Sequence, residues 1–227
     1  MIKLDNVSKS FGEKEVLHNI SLKINDGDFV AITGVNGAGK TTLVNLIVGT
    51  QEPSSGTIDT SFEQKDFGLQ IQDVVFNKFV TPKLYIDLQK DLYDLDQKDV
   101  DEMTKIIGVD SFVNTKIKKL SGGQRQRLNI LVAILHKPKV MIFDELTTGL
   151  DALSRYEVRE ILRNLNKKGT TIILVSHYMD EIEDLCKKVI SLKDGKLKDY
   201  ATISTLLKRN KVKTLDEYFK KIMMGVK

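Results

Sequence analysis

"FVAITGVNGAGKTTLVNLIVG", Phe29 to Gly49, decides the fold of this chain. Phe29–Thr33 is a short apolar run of the kind buried in a parallel sheet. It ends in a glycine-rich loop, and "KTTLVNLIV" continues as a helix that stops at Gly49. The spacing Gly34-x4-Gly39-Lys40-Thr41 therefore sits between strand and helix, the context a phosphate-binding loop requires. Glycines let the backbone N–H groups from Gly34 through Asn36, Gly37, Ala38 and Gly39 to Thr42 wrap phosphate oxygens at a helix N-terminus. Lys40 can neutralise the outer phosphates, and the Thr41 hydroxyl suits Mg²⁺. The competing reading, an ordinary glycine turn before a helix, fits that strand–loop–helix context less well.

Outward from this stretch, the pattern alternates. "IKLDNVSKSF" and "EVLHNISLKI" before it have the period of two that marks strands. After it, "KVMIFDE" (139–145) and "TTIILVSH" (170–177) are two further buried runs, each preceded or followed by helical spacing. Residues from about 73 to 135 are mostly helical in pattern, with Gly108 as a C-cap. "VISLKDGKLKDY" is a hairpin turning at Asp194–Gly195. Buried strands alternating with helices give an α/β fold with a mostly parallel sheet. "VMIFDE" delivers Asp144 to a strand end, where ligands sit in such sheets. Asp144 can hold a Mg²⁺ shell and Glu145 can polarise an attacking water. An N-cap and its neighbour would give the same pair.

"LSGGQRQRL", Leu120–Leu128, is a second helix start suited to an anion, and it carries no lysine at the loop. Placed between the phosphate loop and "FDELTTGLD", it resembles the signature of the ATP-binding cassette (ABC) ATPases. The resemblance runs from about residue 2 to 197. It implies a RecA-like P-loop NTPase core with an N-terminal antiparallel β subdomain and an inserted α-helical subdomain. The corresponding division is 1–72 and 136–198 for the core, 73–135 for the helical insert and 199–227 for a C-terminal tail. It implies ATP and Mg²⁺ as ligands, and a head-to-tail pair of cassettes. In that pair Ser121, Gly122, Gly123 and Gln124 face the γ-phosphate bound by the partner's loop. This accounts for two anion-binding helix starts in one chain, each half of a composite site.

The resemblance extends to single positions. Phe11 in "VSKSFG" resembles the aromatic residue that stacks on adenine; a core strand aromatic is the alternative. In "FGLQIQ", Gln72 rather than Gln70 resembles the glutamine that senses Mg²⁺ and the attacking water. His177 resembles the switch histidine at the γ-phosphate, and Asp151 in "TTGLD" the aspartate that addresses the opposite site. Two departures stand out. Leu146 occupies the position where the family usually has proline, and the segment between Gly56 and Gly68 is short, which predicts a reduced antiparallel sheet.

Composition narrows the setting. No apolar run nears the ~18 residues of a membrane span, the first residues carry alternating charges, and Cys186 is the single cysteine. These features predict a cytoplasmic protein with no disulfide. From 187 onward Lys and Arg outnumber acids twelve to four. The acids are interleaved and stacking aromatics are lacking, so a solvated surface is expected and no nucleic-acid partner. The absence of N-K-x-D argues against a GTPase. The length between Lys40 and Ser121 leaves no room for a long coiled coil. "SHYMDEIEDLCKK" and "KTLDEYFKKI" resemble the drug- and antibiotic-export group. The expectation is an ATPase subunit, peripheral on the inner membrane face, powering a permease on a separate chain. Its second ABC ATPase subunit would be a copy of itself or a different cassette. A soluble ABC ATPase of the iron–sulfur assembly type is the alternative.

Overall fold

The computed structural model describes residues 1–70 and 76–225. The chain runs β1 (Ile2–Phe11), β2 (Lys14–Ile24), β3 (Phe29–Thr33), α1 (Lys40–Val48), β4 (Ser55–Thr60) and β5 (Phe67–Gln70). Next come α2 (Pro82–Tyr93), α3 (Gln97–Ile107), α4 (Gly122–Ile134), β6 (Val140–Asp144), α5 (Ala152–Lys167), β7 (Thr171–Val175) and α6 (Met179–Leu185). It ends with β8 (Lys188–Lys193), β9 (Lys196–Thr202), α7 (Ile203–Asn210) and α8 (Leu215–Tyr218).

One sheet has the order β4-β1-β2-β9-β8-β3-β7-β6-β5. Strands β8, β3, β7, β6 and β5 pair in parallel, and β4, β1 and β2 are antiparallel. The two parts meet at a single parallel pairing, His18 beside Lys196. Strands β3, β6 and β7 are buried on both faces, which is why they read as unbroken apolar runs. Their alternation splits the core in two. Phe29 and Ala31 face a cluster with Leu131 of α4, Leu162 of α5 and Ile182 of α6. Val30 and Ile32 face a second cluster with Leu43, Leu46 and Ile47 of α1 and with Leu4, Leu17 and Ile20 of the antiparallel strands. Helix α1 is thus enclosed between the two parts of the sheet, and the loop before it has apolar support on both sides.

One boundary changes: strand β9 runs on to Thr202, past residue 198. The tail is a solvated surface segment anchored by a packed stripe, with Leu206, Leu215 and Tyr218 buried in the first cluster. The Tyr218 hydroxyl donates to Asp199 at 2.8 Å, and Asp199 also takes Arg209 at 3.0 Å. The lysines of the tail lie outward around this buried stripe.

Candidate nucleotide site

Register decides what meets at the carboxyl edge of the sheet. Ile32 lies beside Val175, and Val175 beside Asp144. The loop after β3, the acidic pair after β6 and the turn after β7 therefore emerge together, where open α/β sheets bind ligands. A cleft of about 390 Å³ opens there. Asn36, Gly37 and Gly39 to Thr42 line it together with Asp144 and Glu145 and with Lys14 and Val16 of β2. Another cavity, of about 350 Å³, lies at the opposite strand ends near Pro138 and Thr170. It holds no phosphate-binding element.

The loop geometry depends on its glycines. Gly39 has φ 96°, and a Cβ there would stand 2.6 Å from Leu17 Cδ2, so both backbone and space demand glycine. Gly37 has φ 79° with open space where a Cβ would point, leaving room for an approaching phosphate. No side chain caps the start of α1 among the described residues, and its first turn carries no acid. Its free N–H groups are an anion receptor. Lys40 Nζ donates to the carbonyls of Gly34 at 2.9 Å and Val35 at 3.2 Å, holding the ammonium across the loop. Burial lowers the Lys40 pKa, against the pull of Asp144 and Glu145. Burial and then the neighbouring Glu145 raise that of Asp144, with Lys40 opposing. Two acids and one lysine held half-dry leave a site that gains from an added cation. The donors present, the Thr41 hydroxyl and the Asp144 carboxylate, are hard oxygens suited to Mg²⁺. Among the described residues no group of His, Cys, Asp and Glu could hold a metal alone. The Thr41 hydroxyl and the Asp144 carboxylate together suit a Mg²⁺ that takes its other ligands from substrate phosphates.

Glu145 is held in an unusual backbone conformation, φ 51°. Its N–H donates to Val175 O at 2.9 Å and its carbonyl accepts from Thr148 at 3.2 Å. Leu146 is buried beneath it. The departure from proline thus places an apolar anchor under the turn, and Glu145 lines the cleft. His177 Nδ1 lies 3.1 Å from Glu145 Oε1. Phe11 is 48% exposed at the end of β1, with Lys9 Nζ 5.2 Å above its ring. It is not a core aromatic, and its outer face is open to stacking. Gln72 lies outside the described residues; Gln70 is buried in β5.

The second helix start is built differently. Ser121 Oγ accepts from Gln124 N at 3.2 Å, and Gln124 Oε1 from Ser121 N at 2.9 Å, a reciprocal cap. Ser121 and Gly122 are exposed, and neither lines the 390 Å³ cleft. Gly123 is buried: a Cβ there would meet Ser154 Oγ at 2.4 Å. Ser154 in turn donates to Asp151 through its N–H at 2.9 Å and its hydroxyl at 2.8 Å, bonds that lower the Asp151 pKa. Asp151, Ser154 and Gly123 therefore form one junction between the starts of α5 and α4. Sequence reasoning missed Ser154 and Lys14; the packing of Ser154 against Gly123 is a tertiary contact with no sequence signal.

A phosphate loop opening a helix at the carboxyl edge of a parallel sheet, opposite an acidic strand end, defines the class of P-loop nucleotide-binding proteins. A profile of the family described as ABC transporter matches residues 17–148. The chain is 33% identical over 212 residues to the uncharacterized ABC transporter ATP-binding protein YdbJ of Bacillus subtilis, covering 87% of this chain and 68% of that protein. It is 30% identical to the linearmycin resistance ATP-binding protein LnrL of the same organism, over 92% of this chain and 71% of the relative. It is also 30% identical to the methionine import ATP-binding protein MetN of Clostridium tetani, over 92% and 71%. Among solved structures, a dimeric post-hydrolysis ATP-binding cassette bound to ADP and Pi superimposes with a TM-score of 0.76 at 28% identity, covering 89% of this chain and 98% of that one. A bacterial Atm1-family ABC exporter with ATP bound superimposes with 0.80 at 26% identity, covering 92% of this chain and 40% of that one. The chain belongs to the ABC transporter family, and it is the ATP-binding, ATP-hydrolysing cassette of such a transporter.

Proposed function

We propose that this cassette powers an exporter through ATP-sandwiched, head-to-tail pairing, with its membrane spans on a separate permease chain. One observation carries the pairing. The cleft with Lys40 holds no residue of the Ser121 helix start, which instead faces outward as an exposed anion receptor. Such a receptor gains a γ-phosphate only from a second cassette.

In this reading Gly34 to Thr42 cradle the phosphates and Phe11 stacks on the base. Thr41, Asp144 and Gln72 would hold Mg²⁺, which when bound would supply charge neutralisation for the phosphates. Glu145 orients the attacking water, and His177 fixes the Glu145 carboxylate and contacts the γ-phosphate. Ser121, Gly122, Gly123 and Gln124 close on the opposite ATP, with Asp151 relaying between the two sites. ATP binding then shifts the population toward the closed pair by its contacts with both halves, and loss of the γ-phosphate reopens it. The insertion around residues 72–92 is where the permease docks in this reading. Leu84, Leu88 and Leu92 form an exposed apolar row along α2, four residues apart, which supports docking there. The "SHYMDEIEDLCKK" segment and the linearmycin resistance relative support export and a place on the inner face of the membrane. No helix among the described residues is long and apolar enough to cross it.

Ser121→Arg tests the pairing. The account expects ATP binding by the monomer to persist and ATP-driven dimerisation to vanish. Normal dimerisation in that variant would sink the composite site.

A further inference from the structure

Behind His177 lies a buried carboxylate that the hydrolytic roles leave unused. Glu181 of α6 is 0% exposed. Among the described residues no Lys, Arg or His pairs with it, and its Oε1 has no hydrogen-bond partner. A carboxylate buried on such terms is costly to keep, so its one strong bond is informative. Oε2 accepts from the Ser176 hydroxyl at 2.7 Å. Ser176 is itself buried, at the end of β7, and its N–H donates to Ile32 O at 3.4 Å, one strand over. A hydroxyl has a single proton. With that proton committed to Glu181, a lone pair of Ser176 Oγ faces Tyr178 N–H, which donates to it at 3.1 Å. His177 is the residue enclosed by this bracket. Its ring reaches Glu145 at 3.1 Å and lies 4.2 Å from that of Tyr178.

We propose that Glu181 is a positioning residue for ATP hydrolysis. Through Ser176 it fixes the backbone on both sides of His177, and so the place of the imidazole relative to Glu145. Glu181 touches no substrate. Its burial keeps it from water and from the Lys40 cleft. The proposal rests on the reading of Glu145 and His177 as the hydrolytic pair.

The test is steady-state ATP turnover by the full chain, with melting temperatures measured in parallel. The variants are Glu181→Ala, Glu181→Gln, Ser176→Ala, the Ala/Ala double and His177→Ala. Loss of the bracket lowers kcat about three- to tenfold, the range one hydrogen bond allows, and leaves the KM for ATP within about twofold. Glu181→Gln keeps an oxygen that accepts from Ser176 and retains most of kcat. The double variant falls no further than the lower single, because both remove one link. Ser176→Ala deletes a single hydroxyl, so it carries the test even where Glu181→Ala unfolds. Unchanged kcat in Ser176→Ala, or a Glu181→Gln loss as deep as that of Glu181→Ala, overturns the proposal. His177→Ala separates the two levels. If it is inactive while Ser176→Ala is normal, the positioning role alone fails; if it turns over like wild type, the assignment of the pair fails first.

Discussion

The junction of α4 and α5 sets a sharp test at Gly123. Its backbone φ is not in the left-handed region, so alanine there meets only a packing problem. The added Cβ would stand 2.4 Å from Ser154 Oγ and 3.0 Å from Ser154 Cβ, well inside the ~3.5–4.0 Å of relaxed contact. Ser154 cannot swing its hydroxyl aside without losing the 2.8 Å bond to Asp151. Overpacking of this kind costs about 1–3 kcal/mol, and the helix preference for alanine over glycine returns up to about 1 kcal/mol. With overpacking near the middle of its range and only a partial return at this first-turn position, the net loss for Gly123→Ala is about 1–2 kcal/mol. At 227 residues that is a fall in Tm of roughly 2–8 °C. Ser154→Gly removes both atoms that the new methyl meets, so the double variant costs less than the sum of the singles by about 1–2 kcal/mol. Thermal unfolding of all four proteins measures this coupling. Strict additivity, or Gly123→Ala melting as wild type, would show that the two helix starts are not locked together. The reading of Asp151, Ser154 and Gly123 as one junction would then fall.

Further outcomes follow from single contacts. Phe11→Ala should weaken nucleotide affinity with little change in Tm, because the ring is half exposed; isothermal titration with ATP checks both this and the stacking role. Tyr218→Phe leaves buried Asp199 with Arg209 alone and should cost about 1–3 kcal/mol in denaturant unfolding. Burial pushes the Tyr218 hydroxyl far above the ordinary tyrosine range. Above about pH 10 the unfolded chain loses that proton and the native state keeps it, so stability falls as pH rises, and Tyr218→Phe should flatten the slope. Cys186 is buried, and burial followed by the charge of Glu181 raises its pKa well above the usual thiol value. It should resist alkylation at pH 8 until the chain unfolds, which a labelling time course reads directly.

The sequence was most legible where both faces of a strand are buried. "FVAIT" is β3 residue for residue, and "KVMIFDE" and "TTIILVSH" frame β6 and β7 within two residues. A run with no polar face can only be central, and so it also located the loop and acidic pair at its ends. The first strand was harder. Its pairing with β2 shifts register three times between Leu4 and Ser10, so alternation cannot say which way Phe11 points; only the structure shows it exposed. The tail's packed stripe was hidden because its charge is loud and its buried residues are few: Leu206, Leu215 and Tyr218 are scattered among lysines. The Gly123–Ser154–Asp151 junction and the Glu181–Ser176 bracket were invisible for a different reason. Each is a small or buried polar contact made by tertiary packing, with no periodic trace.

The claim that organises all of this is that the two helix starts are halves of one composite site. The most direct measurement is size-exclusion elution of the Glu145→Gln protein with and without Mg·ATP. The variant removes the water-orienting carboxylate while keeping the shape of the turn, so ATP should stay bound and the protein should move from monomer to dimer with ATP and not with ADP. ATP held in full occupancy by a protein that still elutes as a monomer would contradict the self-paired sandwich.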